Sequence, residues 1–389
     1  MRFRVSSVRD VIFGWNAIEE LEEIAGRFGG KAIIITGRNV GRQVVPKHVL
    51  PQLEGVHVDV WSSVTPEPDE RLVEMARKAV RDGRYDVVIG VGGGSALDVA
   101  KLAAGLSHSD KPLSEFSGAE VSEREYGLVL CPTTAGTGSE VTNLAVVKLE
   151  GSEVRRVFEG SALQADVAIV DPQLTLSLPK SVTVSSGLDA LCHAIESLVS
   201  LVSNPFTEML SMRAMEYAVE SLPLVPSENS RDGRERMSLA SLFAGMAINN
   251  AGTVLGHALG YAHAPLHGKP HGISVAVTMP YVLQYNSFAC SEKHATIARA
   301  FGANADERDV RNVAIAVGRV FAEFLDELGV PSNLSELGVT ERDIPSIVER
   351  TFASEKHVLR NPRPVRRKEL FALLEKAITG DLDDPDFSS

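Results

Sequence analysis

The stretch Tyr85–Lys101, YDVVIGVGGGSALDVAK, decides the fold. Its opening, Tyr85–Val91, is a β-branched run of strand length. Three consecutive glycines follow, Gly92, Gly93 and Gly94, and Ser95 starts a helical stretch that runs to Gly105. Glycine lets the backbone bend and approach an anion closely. The helix start beyond it offers free N–H groups and the positive end of the helix dipole. No GKS or GKT follows and the pattern is not GxGxxG, so neither a P-loop nor the standard dinucleotide fingerprint is present. Read without a ligand, the same residues are a tight strand-to-helix turn capped by Ser95. Asp98 and Lys101 share the helix face of Ser95.

The flanking sequence keeps alternating strand and helix. KAIIIT (Lys31–Thr36) reads as a buried strand ended by Gly37, and VHVDVW (Val56–Trp61) as a second strand. Pro68–Gly83 carries Leu72, Met75, Ala76 and Val80 at helical spacing. GLVLCPTT (Gly127–Thr134) and VAIVDP (Val167–Pro172) are further strands. This order predicts βαβ units, hence a Rossmann-like parallel sheet with helices on both faces and ligands at the carboxyl ends of its strands. A second loop, PTTAGTGSEVTN (Pro132–Asn143), adds hydroxyls on Thr133, Thr134, Thr137 and Ser139; its ligand-free reading is an ordinary turn-forming loop. From Pro179 strands vanish. Amphipathic patterns at Ser186–Val202, Pro205–Leu222, Arg234–Asn250, Val310–Leu328 and Lys368–Ile378 predict an all-helical second domain, giving domains 1–178 and 179–389. The tail DLDDPDFSS reads as a frayed acidic end.

Composition narrows the function. At roughly 150 residues per domain, 389 residues suggest two or three domains. The formal net charge of −12 argues against nucleic acid or anionic lipid as the main partner. No apolar run approaches the roughly 18–20 residues of a membrane span. The start, MRFRVSSVRD, lacks the apolar core of a secretory signal. Cys131, Cys192 and Cys290 are odd in number and form no CxxC, so a reducing cytoplasm is expected.

Metal chemistry is suggested by Ser185–Ser200, SSGLDALCHAIESLVS, where Asp189 and His193 stack one helical turn apart. Alone, the pair reads sooner as an exposed ion pair or a core histidine. Gly256–Gly272, GHALGYAHAPLHGKPHG, holds His257, His263, His267 and His271, two of which would complete an Asp–His–His–His shell. One carboxylate and three imidazoles suit Fe²⁺, Zn²⁺ or Ni²⁺ rather than Ca²⁺ or Mg²⁺. Cys192 points about 100° away from His193 and reads as packing.

Together GGGSALDVAK, PTTAGTGSEVTN, VAIVDP followed by Leu178–Pro179, GLDALCHAIE and the His257–His271 segment resemble the iron-containing (group III) alcohol dehydrogenases along most of the chain. The resemblance implies a dehydroquinate synthase-like architecture: a sheet domain for a nicotinamide dinucleotide, a helical domain for the metal, and an active site in the cleft between. It implies Asp189, His193, His257 and His271 as ligands; His263 and His267 have no counterpart and are expected to line the cleft or the surface. It implies reversible hydride transfer between a small alcohol and the nicotinamide, with the metal as Lewis acid. Gly92, Gly93, Gly94 and Ser95 would take the pyrophosphate, Asp98 the nicotinamide end, and Thr133, Thr134 and Thr137 the adenine and ribose surroundings, with Ser139 and Leu178 beside them. Many members carry His four residues after the third ligand; here it is Tyr261, a phenol that titrates near 10 where an imidazole titrates near 6.5, so the proton relay differs. A homodimer or higher oligomer, built through the N-terminal strands, is also implied.

Gly37, Arg38 and Arg42 bear on the cofactor. NAD-specific folds tend to place an acid at a strand end to bind the ribose 2′-OH. Gly37 removes that charge, and either arginine offers charge-assisted bonds to a 2′-phosphate, which favours NADP(H). Rival readings are a glycerol- or polyol-type dehydrogenase of the same superfamily, a dehydroquinate-synthase-like lyase, for which the helical segments supply few basic residues, and a non-catalytic nucleotide- or metal-binding protein.

Overall fold

A computed structural model describes residues 2–151, 155–225, 230–303, 310–384 and 387. Six strands form a parallel sheet: β1 (Asp10–Phe13), β2 (Lys31–Gly37), β3 (His57–Val64), β4 (Val87–Gly92), β5 (Gly127–Pro132) and β8 (Val167–Val170), in the order β1-β8-β5-β4-β2-β3. Of the four inner strands, β4, β5 and β8 are buried along their whole length and β2 at all but its two end residues, which is why they read as unbroken apolar runs. Ile34 pairs with Ile89, and Ile89 with Val129, across the middle of the sheet. β2 has β3 on one side and β4 on the other, so the strand order reverses between β2 and β4. Their carboxyl ends, Gly37 and Gly92, flank the switch point where doubly wound sheets bind ligands.

The four helices of this unit are α1 (Leu21–Gly26), α2 (Arg38–Gln43), α3 (Glu70–Gly83) and α4 (Gly94–Leu106). Of these, α3 and α4 follow the sequence reading, and α1 and α2 were not anticipated. Asp69 caps α3, accepting from the Leu72 N–H at 2.8 Å, so the helix starts two residues later than Pro68. Three strands were not anticipated. β1 is only four residues long, and β6 (Leu144–Lys148) and β7 (Arg155–Glu159) form a separate antiparallel pair with charged residues interspersed.

The second unit contains no strand among its described residues. Its helices are α5 (Lys180–Val199), α6 (Pro205–Ser221), α7 (Arg231–Ala251), α8 (Leu255–His267), α9 (His271–Asn286), α10 (Ser291–Ala300), α11 (Val310–Glu327), α12 (Ile344–Ala353), α13 (Glu355–Arg360) and α14 (Arg367–Thr379). The chain passes from one unit to the other between Leu178 and Pro179; residues 230–238 group with the sheet and residues 2–5 with the helices. α9 packs against both α8 and α5, which positions the histidines described below. The tail is not frayed throughout: Phe387 is buried edge-on against Tyr285, and the Gln284 amide donates to the Leu382 carbonyl at 3.0 Å. One aromatic ring buries enough apolar surface to hold an otherwise acidic end. The rest of the tail after Asp384 lies outside the described residues. No single helix among those described is long and apolar enough to cross a membrane.

Candidate metal centre and dinucleotide cradle

The candidate metal centre is built by three helices around one oxygen. Asp189 and His193 lie one turn apart on α5, His257 on the first turn of α8, and His271 is the first residue of α9. Around Asp189 Oδ1 stand His257 Nε2 at 3.6 Å and the Nε2 atoms of His193 and His271 at 3.8 Å each. Ligand atoms about 2.1 Å from one tetrahedral ion stand about 3.4 Å apart, so this spacing suits a first-row metal. The ligating atoms of Asp189, His257 and His271 all lie within 4.8 Å of one another. His193 stacks on His257, ring centroids 4.6 Å apart.

Burial sharpens the case. Asp189 is 4% exposed and His257 1%, and neither Asp189 Oδ1 nor His257 Nε2 has a hydrogen-bond partner. Buried polar atoms left unpaired are costly, and a divalent ion held between these two would satisfy both. Burial alone would raise the Asp189 carboxyl; His193, His271 and His257 pull it far below the usual carboxylate range. Burial opposes charge on His257, but Glu196 and Asp189 lift that imidazole to about 9.

Glu196 was not singled out in the sequence. It follows Asp189 by seven residues and His193 by three on α5, so it shares their face. Its Oε1 accepts the His257 backbone N–H at 3.2 Å and its Oε2 pairs with His257 Nδ1. Such a carboxylate fixes the tautomer and aims the opposite nitrogen at the metal. Gly272 explains the PHG ending of the motif: a Cβ there would overlap the Ser185 carbonyl and come within 3.1 Å of Asp189 Cβ. Only glycine lets α9 start close enough to α5 for His271 to reach Asp189.

Tyr261 stacks on His271, centroids 4.8 Å apart and 9° from parallel, and meets His357 edge-on at 5.8 Å. His357 is a second residue the sequence did not reveal; burial pushes its imidazole down to about 4. The expectation for His263 is corrected. It lines neither a cleft nor the surface: it is 0% exposed, its Nδ1 lies 2.9 Å from His267 Nε2, and burial pushes it down to about 3. His267 satisfies only Nδ1 of His263; the buried Nε2 has no hydrogen-bond partner, which agrees with a ring held neutral by burial. His267 is half-buried and accepts from the Lys269 N–H at 3.0 Å. Cys192 is buried as packing, and burial raises its thiol well above the usual range.

In the sheet unit the glycine turn and the hydroxyl loop face each other. Gly92 has φ +153°, and Gly94 opens α4 with Gly93 as its extended N-cap. A Cβ on Gly93 would lie 3.2 Å from Thr134 Cγ2, and one on Gly94 only 2.6 Å from Thr137 Cγ2. The absent side chains therefore make room for this loop to close over the start of α4. Ser95, Thr134 and Thr137 are half-buried; Thr133 is buried, its N–H donating to the Gly92 carbonyl at 2.9 Å. Asp98 points into the protein: one oxygen accepts from Ser139 Oγ at 2.6 Å and the other from the Val146 N–H at 2.9 Å. Gly37 is the N-cap of α2, Arg38 and Arg42 are exposed, and Leu178 is half-buried.

A sheet with a glycine cradle at its switch point and a helical unit with buried Asp and His side chains gathered together suit a metal-dependent enzyme that takes a nucleotide cofactor. Models of the iron-containing alcohol dehydrogenase match residues 9–172, and of the C-terminal part of that family residues 183–378. The chain belongs to the iron-containing alcohol dehydrogenase family. It is 37% identical over 384 residues to long-chain-alcohol dehydrogenase 1 of Geobacillus thermodenitrificans, covering 96% of each chain. A crystal structure of 1,3-propanediol oxidoreductase superposes with TM-score 0.93 at 30% identity, covering 97% of this chain and 100% of that one. Sulfoacetaldehyde reductase from Bifidobacterium kashiwanohense, in complex with NAD⁺, superposes with TM-score 0.89 at 26% identity, covering 98% and 100%.

Proposed function

We propose that the chain is an alcohol dehydrogenase and aldehyde reductase for small alcohols, working with Fe²⁺ (Zn²⁺ or Ni²⁺ being alternatives) and preferring NADP(H). The observation that carries the reading is the ring of three imidazole nitrogens around Asp189 Oδ1. When bound, the metal supplies Lewis acidity, which acidifies an alcohol hydroxyl and polarises a carbonyl toward hydride. The dinucleotide carries the hydride. The protein's own work is placement. Gly93, Gly94 and Ser95 present backbone N–H groups to the pyrophosphate at the start of α4. Thr134 and Thr137 close over it, with Thr133 and Ser139 shaping the loop. Asp98 acts toward the nicotinamide end through Ser139. Tyr261 places a phenol beside His271, where the reacting hydroxyl's proton must leave.

Gly37 supports the NADP(H) preference. A Cβ there meets only the Val64 carbonyl at 3.4 Å, an ordinary contact, so the site has room. Arg38 and Arg42 are exposed beside it and suit a 2′-phosphate. The experiment compares kcat/KM for NADPH and NADH across a panel of aldehydes, using metal-reconstituted wild type and Gly37→Asp. Wild type is expected to prefer NADPH and the carboxylate to turn the preference toward NADH. An NADH preference in the wild type overturns the cofactor assignment; no turnover with any aldehyde overturns the activity.

A dimer or larger homo-oligomer is part of the same reading, with the edge strand β1 as the joining surface. A solution mass of one chain, 41.8 kDa, overturns it. Three free cysteines support a cytoplasmic, reducing setting.

A further inference from the structure

We infer that Lys101 is a positioning residue for the dinucleotide: from beneath the glycine turn it clamps the hydroxyl loop, Thr133–Thr142, in the shape that closes Thr134 and Thr137 over Gly93 and Gly94. The inference rests on the dinucleotide reading above.

A lysine on an amphipathic helix normally reaches water. Lys101 does not: it is 0% exposed. An ammonium has three N–H donors, and all three find acceptors on the chain beyond β5. They are Ser139 Oγ at 2.8 Å, Thr142 Oγ1 at 3.0 Å and the Leu144 carbonyl at 2.7 Å. The cation of α4 is thus spent on the loop.

Each acceptor passes the constraint on. Ser139 Oγ donates to Asp98 Oδ1 at 2.6 Å, and the Ser139 N–H donates to Thr137 Oγ1 at 3.2 Å. Thr142 Oγ1 donates back to the Ser139 carbonyl at 3.4 Å. Thr137 Oγ1 in turn stands 3.0 Å from the place a Gly94 Cβ would fill. Position is therefore transmitted from Lys101 through Ser139 to Thr137 and the cradle.

An apolar side chain of similar length would fill the space without the cost of dehydrating a charge. It would leave Ser139, Thr142 and the Leu144 carbonyl without their donor. It would also remove the cation that faces two buried carboxylates, Asp98 at 3.8 Å and Glu140 on the loop itself. A buried cation held at that cost, next to a ligand cradle, has a placement role.

The test uses metal-loaded Lys101→Met and Thr142→Val. Binding of NADPH and NADH is read by nicotinamide fluorescence, with KM, kcat, metal content and amide hydrogen exchange over 133–146. Lys101→Met is expected to raise dinucleotide Kd and KM roughly tenfold or more, and Thr142→Val about fivefold, as befits lost hydrogen bonds. Metal per chain and kcat at saturating dinucleotide should stay near wild type, and exchange should quicken in the loop alone. Wild-type Kd in a folded Lys101→Met overturns the inference. So does a fall in kcat with KM unchanged, the mark of a merely structural role. If Lys101→Met does not fold, Thr142→Val decides, and unchanged Kd there overturns it. A wild type that binds neither dinucleotide overturns the dinucleotide reading, and the inference with it.

Discussion

Glu196 holds His257 at two points, the backbone N–H through Oε1 and the ring Nδ1 through Oε2. With Nδ1 engaged, Nε2 faces Asp189 Oδ1 3.6 Å away, the position from which it would ligate a metal ion.

Glu196→Ala should therefore weaken metal binding without removing a ligand. Loss of such a supporting carboxylate typically costs about 10–100-fold in metal affinity. Chelator competition with Co²⁺-loaded protein measures it. Unchanged affinity would falsify the role.

His271 is the most exposed of the candidate ligands, its side chain 22% accessible, and belongs to the helical unit. His271→Ala is expected to lose the metal and turnover while dinucleotide binding survives. A variant with wild-type metal content and turnover would remove His271 from the ligand set.

Gly272→Ala tests the approach of α9 to α5. The added methyl overlaps the Ser185 carbonyl, a backbone atom that cannot swing aside. Overpacking of this kind costs about 1–3 kcal/mol, and here the metal should be lost with it. Gly26→Ala, where nothing lies within 4 Å of the new methyl, serves as control and should melt like wild type. Equal melting and metal content in both variants contradict the argument.

Burial raises the Glu140 carboxyl from 4.5 to about 7. The folded protein then keeps a proton that the unfolded chain releases at lower pH. The stability this contributes is present below about pH 4.5 and is lost as pH rises toward 7. Melting temperature in wild type should fall between pH 5 and 7.5 more than in Glu140→Gln. Identical slopes would show that Glu140 is already ionised in the fold.

Much of this was legible in the sequence, for identifiable reasons. KAIIIT and YDVVIGV stand out because inner parallel strands are buried on both faces, so their sequences carry no polar alternation. β1 and the β6–β7 pair escape because a four-residue strand and a pair holding Lys148, Arg155, Arg156 and Glu159 look like loop. Asp189 and His193 show themselves by spacing. Glu196, on the same face, does not, since a helical glutamate is ordinarily solvated. Lys101 hides for the same reason: its burial depends on acceptors 38 to 43 residues away. His263 misleads because its Nδ1 meets His267 one turn on and the ring is fully buried, where a histidine read from sequence is expected at a cleft or the surface.

The candidate metal ligands come from α5, α8 and α9, segments that an unfolded chain would scatter. An ion seated among them is a detachable cross-link. Whatever binds the folded chain alone adds stability with its free concentration, about 2.7 kcal/mol at a hundred times its Kd. The melting temperature of this chain is thus also a gauge of free metal in the buffer. Two samples identical in every amino acid, one passed over a chelating resin and one not, should melt as though they were different proteins.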